Sequence, residues 1–99
     1  MSNDAYHTKD PEAVLDYLVD WSTWMPSGDA ITASSWTITG PDSALTLGTG
    51  AQAPDNTDTT ATMWLVGGTL GQRYQAVNHI VTAQGREDDR TLYISIAEK

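Results

Sequence analysis

Residues 73–97 read RYQAVNHIVTAQGREDDRTLYISIA. In the first half, Tyr74, Ala76, Asn78, Ile80 and Thr82 fall on one side, and Val77, His79 and Val81 on the other. A period of two is the mark of a strand with one buried face. The run TLYISIA (91–97) repeats it, with Leu92, Ile94 and Ile96 on a common side. Between the runs lies GREDD (85–89), where Gly85 permits the bend and the charges keep the tip wet. Two alternating runs about a short polar turn predict a β-hairpin of strands 73–84 and 91–97.

The same pattern continues upstream. GGTLGQ (67–72) is a turn, and TTATMWLVG (59–67) alternates Ala61, Met63 and Leu65 with Thr62, Trp64 and Val66. GTGAQAPDNTD (48–58) is a loop of small and polar residues. ALTLG (44–48) and AITASSWTIT (30–39) read as strands, the latter with Trp36 and Ile38 on one face. AVLDYLVDWSTWM (13–25) fits a helix through Val14, Tyr17, Leu18 and Trp21. It also fits a strand through Leu15, Tyr17, Val19 and Trp21, and its Tyr, Val and Trp content favours the strand. Residues 1–12 are polar and read as an N-terminal arm.

About six to seven strands separated by Gly, Pro and Asp turns predict an all-β fold: one immunoglobulin-like antiparallel β-sandwich over 13–99. Gly71 stands three residues before Tyr74, at the start of the penultimate strand. That is where a tyrosine corner pins such a sandwich, with the hydroxyl bonded to backbone upstream. Tyr74 is therefore the expected structural residue.

Composition narrows function. The chain has 99 residues, a formal net charge of −8 and no Cys. Its cations are Lys9, Arg73, Arg86, Arg90 and Lys99. Counterion release on nucleic acid needs clustered cations, so neither nucleic acid nor an anionic membrane is an expected partner. The N-terminus has no apolar core of a signal peptide, and no run of about 18 apolar residues exists.

No cofactor or metal site is expected. Glu87, Asp88 and Asp89 are adjacent rather than at ligand spacing, and Arg86 and Arg90 supply counter-charge. Asp55-Asn56-Thr57-Asp58 resembles the start of a calcium loop but lacks its Gly and distal Glu. His7 and His79 have no partner at zinc spacing. No nucleophile elbow, phosphate loop or dinucleotide glycine pattern occurs, so no catalytic residue is expected.

Trp21, Trp24, Trp36 and Trp64 are many for a core this small. Either they replace the missing Phe as core filler, or one or two sit at a protein interface, where Trp is enriched. Trp21, Trp24 and Trp64 are the interface candidates. Exposed Trp on carbohydrate is a third reading.

These segments together resemble small virion proteins of tailed bacteriophages of the fiber–tail adaptor type. The shared pattern is Asp10-Pro11, the D-Y-x-x-D-W-x-x-W run at 16–24, G-D-x-I at 28–31, G-G-T-x-G-x-x-Y at 67–74 and G-R-x-D-D-R at 85–90. The resemblance implies a multi-copy, non-enzymatic virion part made in the host cytoplasm. It would join tail or neck to fibres through other virion proteins, with a capsid decoration protein as the alternative. It also implies that Arg86, Asp88, Asp89 and Arg90 form a charged hairpin whose pairing is structural or intersubunit. The Trp-rich first segment and the arm are the expected docking contact.

Overall fold

The structure, a computed structural model, describes residues 5–98. Its strands are β1 (Ala5–Lys9), β2 (Val14–Asp20), β3 (Ile31–Thr39), β4 (Leu45–Leu47), β5 (Asp55–Asn56), β6 (Thr60–Gly67), β7 (Arg73–Thr82) and β8 (Glu87–Ile96). They form two sheets. One has the order β1-β8-β7-β3; the other has the order β2-β6-β4, with β5 also paired to β6.

Alternation in the sequence becomes alternation of burial. Tyr74, Ala76, Asn78, Ile80 and Thr82 on β7 are all buried, as are Leu92, Ile94 and Ile96 on β8. From the other sheet, Val19, Leu45, Ala61, Met63 and Leu65 join them in one core cluster. The segment that fits both helix and strand is a strand, paired from Val14↔Val66 to Asp20↔Thr60.

Three expectations change. The fold is all-β but not wholly antiparallel: β1 runs parallel to β8, from Ala5↔Leu92 to Lys9↔Ile96. Parallel neighbours need a long connection, and these two strands are separated by nearly the whole chain. Of the polar arm expected over 1–12, residues 1–4 lie outside the described residues and Ala5–Lys9 is this edge strand. Lys9 is fully buried; its Nζ donates to the carbonyls of Gly67 (2.7 Å) and Asp10 (2.9 Å). Burial pushes the ammonium below the ordinary lysine range.

The third change concerns GREDD. The bend lies at 82–86 rather than 85–89, closed by Gly85 N–H to Thr82 O (3.0 Å) and Thr82 N–H to Arg86 O (2.8 Å). Gly85 has φ +86°, which glycine adopts without strain. Glu87, Asp88, Asp89 and Arg90 are strand residues, in register with Val81, Ile80, His79 and Asn78.

One polar contact crosses the core. Trp21 follows β2, and its Nε1 donates to Asn78 Oδ1 on β7 at 2.9 Å. Asn78 Nδ2 in turn donates to Ser34 Oγ (2.9 Å) and Ser35 O (3.0 Å) on β3. Trp21 and Asn78 are both inaccessible to solvent. Asn78→Ala strands the indole N–H and leaves a small void, so it should cost about 2–4 kcal/mol. Trp21→Ala should cost about 3–5 kcal/mol. Urea unfolding with unchanged slope checks both.

Candidate interface

The charged end of the β7–β8 hairpin is held within the chain. Arg86 Nη1 donates to Asp29 Oδ2 (3.1 Å) and Gln84 Oε1 (2.9 Å). The Asp29 side chain is closed off from solvent. Enclosure alone would raise its carboxyl; hydrogen bonds from Thr82, the Ala30 and Gln84 N–H groups and Arg86 outweigh it and hold the group below the ordinary carboxylate range. Arg86 therefore ties the hairpin to the loop before β3.

Arg90 also turns inward. Its guanidinium lies 4.3 Å from the centroid of the Trp21 ring, and Nη1 donates to Asp20 O at 2.7 Å. A guanidinium over an indole face is a favourable cation–π pair. Asp88 Oδ1 accepts the Asp89 N–H at 2.8 Å. The four residues of the expected charged hairpin thus have separate partners: Arg86 meets Asp29, Arg90 meets Trp21, Asp88 meets the Asp89 N–H and Asp89 meets His79.

That last contact was hidden while 85–89 read as a turn. His79 lies between two carboxylates, Nδ1 against Asp89 Oδ1 (2.5 Å) and Nε2 against Glu87 Oε1 (3.1 Å). With both nitrogens facing acceptors, the protonated ring is favoured. The Asp89 hydrogen bond, aided by Glu87, raises its pKa above the ordinary 6.5. Ser35, opposite His79 on β3, carries no charge. The signal that finds this cluster is register: with the bend at 82–86, His79 pairs with Asp89.

The tryptophans divide as well. Trp21, expected among the interface residues, is enclosed in the core instead, because its indole N–H finds a buried acceptor. Trp36 is buried, with Nε1 unpartnered among the described residues. Trp24 is half-buried and meets Trp21 edge-on at 71°. Trp64 is half-buried on β6, in register with Asp16 of β2. Beside it on the outer side of this sheet, Val14 (41% exposed) is in register with Val66, and Leu18 (58% exposed) with Thr62. Two coplanar exposed Trp, the platform a carbohydrate module needs, do not occur among the described residues. Tyr6 and Tyr93 are parallel at 4.7 Å, but they stack on each other.

Tyr74 is buried near the start of β7. Its hydroxyl accepts the Thr69 N–H upstream (3.0 Å) and donates to Asp42 Oδ1 (2.5 Å). Gly40 lies against the ring, where a Cβ would come within 2.4 Å of it. The Tyr74 hydrogen bond, with those from Ala44 and Thr69, holds Asp42 below the ordinary carboxylate range.

Among the described residues no three His, Asp or Glu converge as a metal site. Of the run expected as a turn, Asp55–Asn56 is strand β5, and the turn proper is 57–60, where Thr57 Oγ1 accepts the Thr60 N–H. A groove of about 430 Å³ runs between Tyr6, Thr39, Arg73 and Tyr93, and among the described residues Arg73 is the one charged side chain that lines it. No helix of the described residues is long and apolar enough to cross a membrane.

Over residues 9–95 the chain matches the model of a family described as podophage GP4 fiber-tail adaptor protein gp77, and it belongs to that family. No curated protein matches it. The chain is thus a non-enzymatic structural adaptor of a phage virion.

The His79 clamp gives a pH prediction. Its folded pKa is raised, so its stabilisation is complete below about pH 6.5 and is lost as pH rises through the folded value. The lowered Asp29 and Asp42 groups act oppositely, adding stability above pH 3.8 that is lost in acid. Between pH 6 and 9 the wild-type melting temperature should fall by roughly 1–3 °C more than that of His79→Gln, as suits an exposed pair.

Proposed function

We propose that this adaptor joins the tail or neck of the particle to its fibres, in several identical copies, each an immunoglobulin-like sandwich. The family match over 9–95 carries the reading. The sandwich is supported by strand order: β8-β7-β3 and β2-β6-β4 are the orders of the two immunoglobulin sheets. The upstream backbone bond of the Tyr74 hydroxyl supports it further.

Contact with the other virion proteins falls on Trp24 and Trp64 and on the outer face of the β2–β6 sheet. Trp is enriched where partners bury it, and these two are the tryptophans that the core does not enclose. Arg86 and Arg90 hold the chain's own loops. Asp88 and Asp89 border the same hairpin and are the charges there that can meet a neighbour's cation.

Labelling the chain in an electron-microscopy map of the particle tests the assignment. Density at the tail–fibre junction supports it; density spread over the capsid replaces it with a decoration role. Trp64→Ala should cost only roughly 1–2 kcal/mol, since the ring is half-buried, yet deplete the chain from purified particles. Mass spectrometry of complete and tail-less particles, beside a thermal melt, checks this; normal incorporation removes Trp64 from the contact.

A further inference from the structure

Strand β2 leaves one edge of its sheet open. Trp21 N–H bonds Thr59 O on the β6 side at 2.8 Å, and Gly48 N–H bonds Trp64 O from the β4 side at 2.9 Å. In an antiparallel ladder the backbone groups alternate between facing the partner and facing away. Counted back from Trp21, Leu15, Tyr17 and Val19 direct their N–H and C=O to β6, and Val14, Asp16, Leu18 and Asp20 direct theirs outward. The carbonyl of Asp20 is taken by Arg90. Among the described residues no hydrogen bond reaches the main chain of Val14, Asp16 or Leu18.

Edge strands in soluble proteins are usually short, guarded by Lys or Pro, or covered. Edge strand β4 has three residues, and β3 is approached by β4 and β5. Seven-residue β2 is neither short nor covered among the described residues, and its guard is the pair Asp16 and Asp20. Its outward side chains are Val14 and Leu18, both exposed, interleaved with Asp16 and Asp20. A second copy meets this edge badly: each chain carries a net charge of −8, and antiparallel self-pairing draws the carboxylates of both together.

Resting on the adaptor reading above, we propose that the open edge of β2 receives an extended, basic segment of another virion protein as an added strand. Main-chain hydrogen bonds to Val14, Asp16 and Leu18 give the affinity. Lys or Arg opposite Asp16 and Asp20, with apolar residues opposite Val14 and Leu18, give the selection. The carboxylates then have two effects: they repel a second copy and admit a cationic strand.

The test uses the full chain, nitrogen-15 labelled, and the synthetic heptapeptide Lys-Thr-Val-Thr-Lys-Thr-Val, which matches this pattern in antiparallel register. Amide exchange at Val14, Asp16 and Leu18 should slow on adding peptide, while Leu15, Tyr17 and Val19 stay as they were. The analogue with Glu for Lys should bind roughly tenfold more weakly, and the D16K/D20K chain should reverse that preference. Leu18→Pro should abolish binding with the fold retained, since proline on an edge removes only the outward N–H. Equal binding of both peptides, protection elsewhere, or a concentration-dependent dimer that protects β2 overturns the proposal. In particles, normal incorporation of folded Leu18→Pro overturns the edge and leaves the adaptor role standing. Absence of the wild-type chain from particles overturns the adaptor role itself.

Discussion

The hydrogen bond from Trp21 to Asn78 constrains everything around it. It joins the end of β2 in one sheet to the middle of β7 in the other, where both partners are closed off from bulk solvent. Asn78 passes the constraint to Ser34 and Ser35 of β3, while Arg90 covers the indole from β8 and grips Asp20 O. Segments from both sheets are thus tied to one buried amide. Apolar contacts alone would let the sheets slide by small steps. A buried polar pair permits one arrangement, because any slip leaves a donor and an acceptor unmet.

Much of this was legible in the sequence. Strict alternation along β6, β7 and β8 gave the strands and their buried faces, since burial on one side of a pleat imposes a period of two. Tyr74 was legible as a buried strand residue because it opens the alternation of β7. Strand β1 was not. Ala5–Lys9 offers no apolar stripe, and it buries a lysine satisfied by two carbonyls, which no hydropathy pattern detects. GREDDR misled for a related reason: a dense charge run reads as solvent-facing turn, yet Glu87 and Asp89 are strand residues held by a histidine across the ladder. Trp21 misled because aromatic count says nothing about which indole has a buried acceptor.

The same internal contacts shape the outer surface. Lys9 is buried, Arg86 is closed on Asp29, and Arg90 lies on Trp21. These cations are directed at the protein's own carbonyls, carboxylate and ring, so carboxylates dominate what solvent meets. A surface of one sign repels its like at long range and favours approach of the opposite sign. The large apolar side chains most open to solvent among the described residues are Tyr6, Leu18, Leu70, Val14 and Leu15.

Parallel pairing of β1 with β8 has a mechanical consequence. The two strands point the same way, so the start of β1 and the end of β8 lie at opposite ends of their shared ladder. A tension that separates those ends acts along the strands, in shear. The bonds from Ala5↔Leu92 to Lys9↔Ile96 are then loaded together, and all must yield at once. In an antiparallel hairpin pulled from its open end, by contrast, the bonds break in succession, as in unzipping. Under such a load the chain holds as a clamp, with the buried Lys9 ammonium fastening the end of β1 to the opposite sheet.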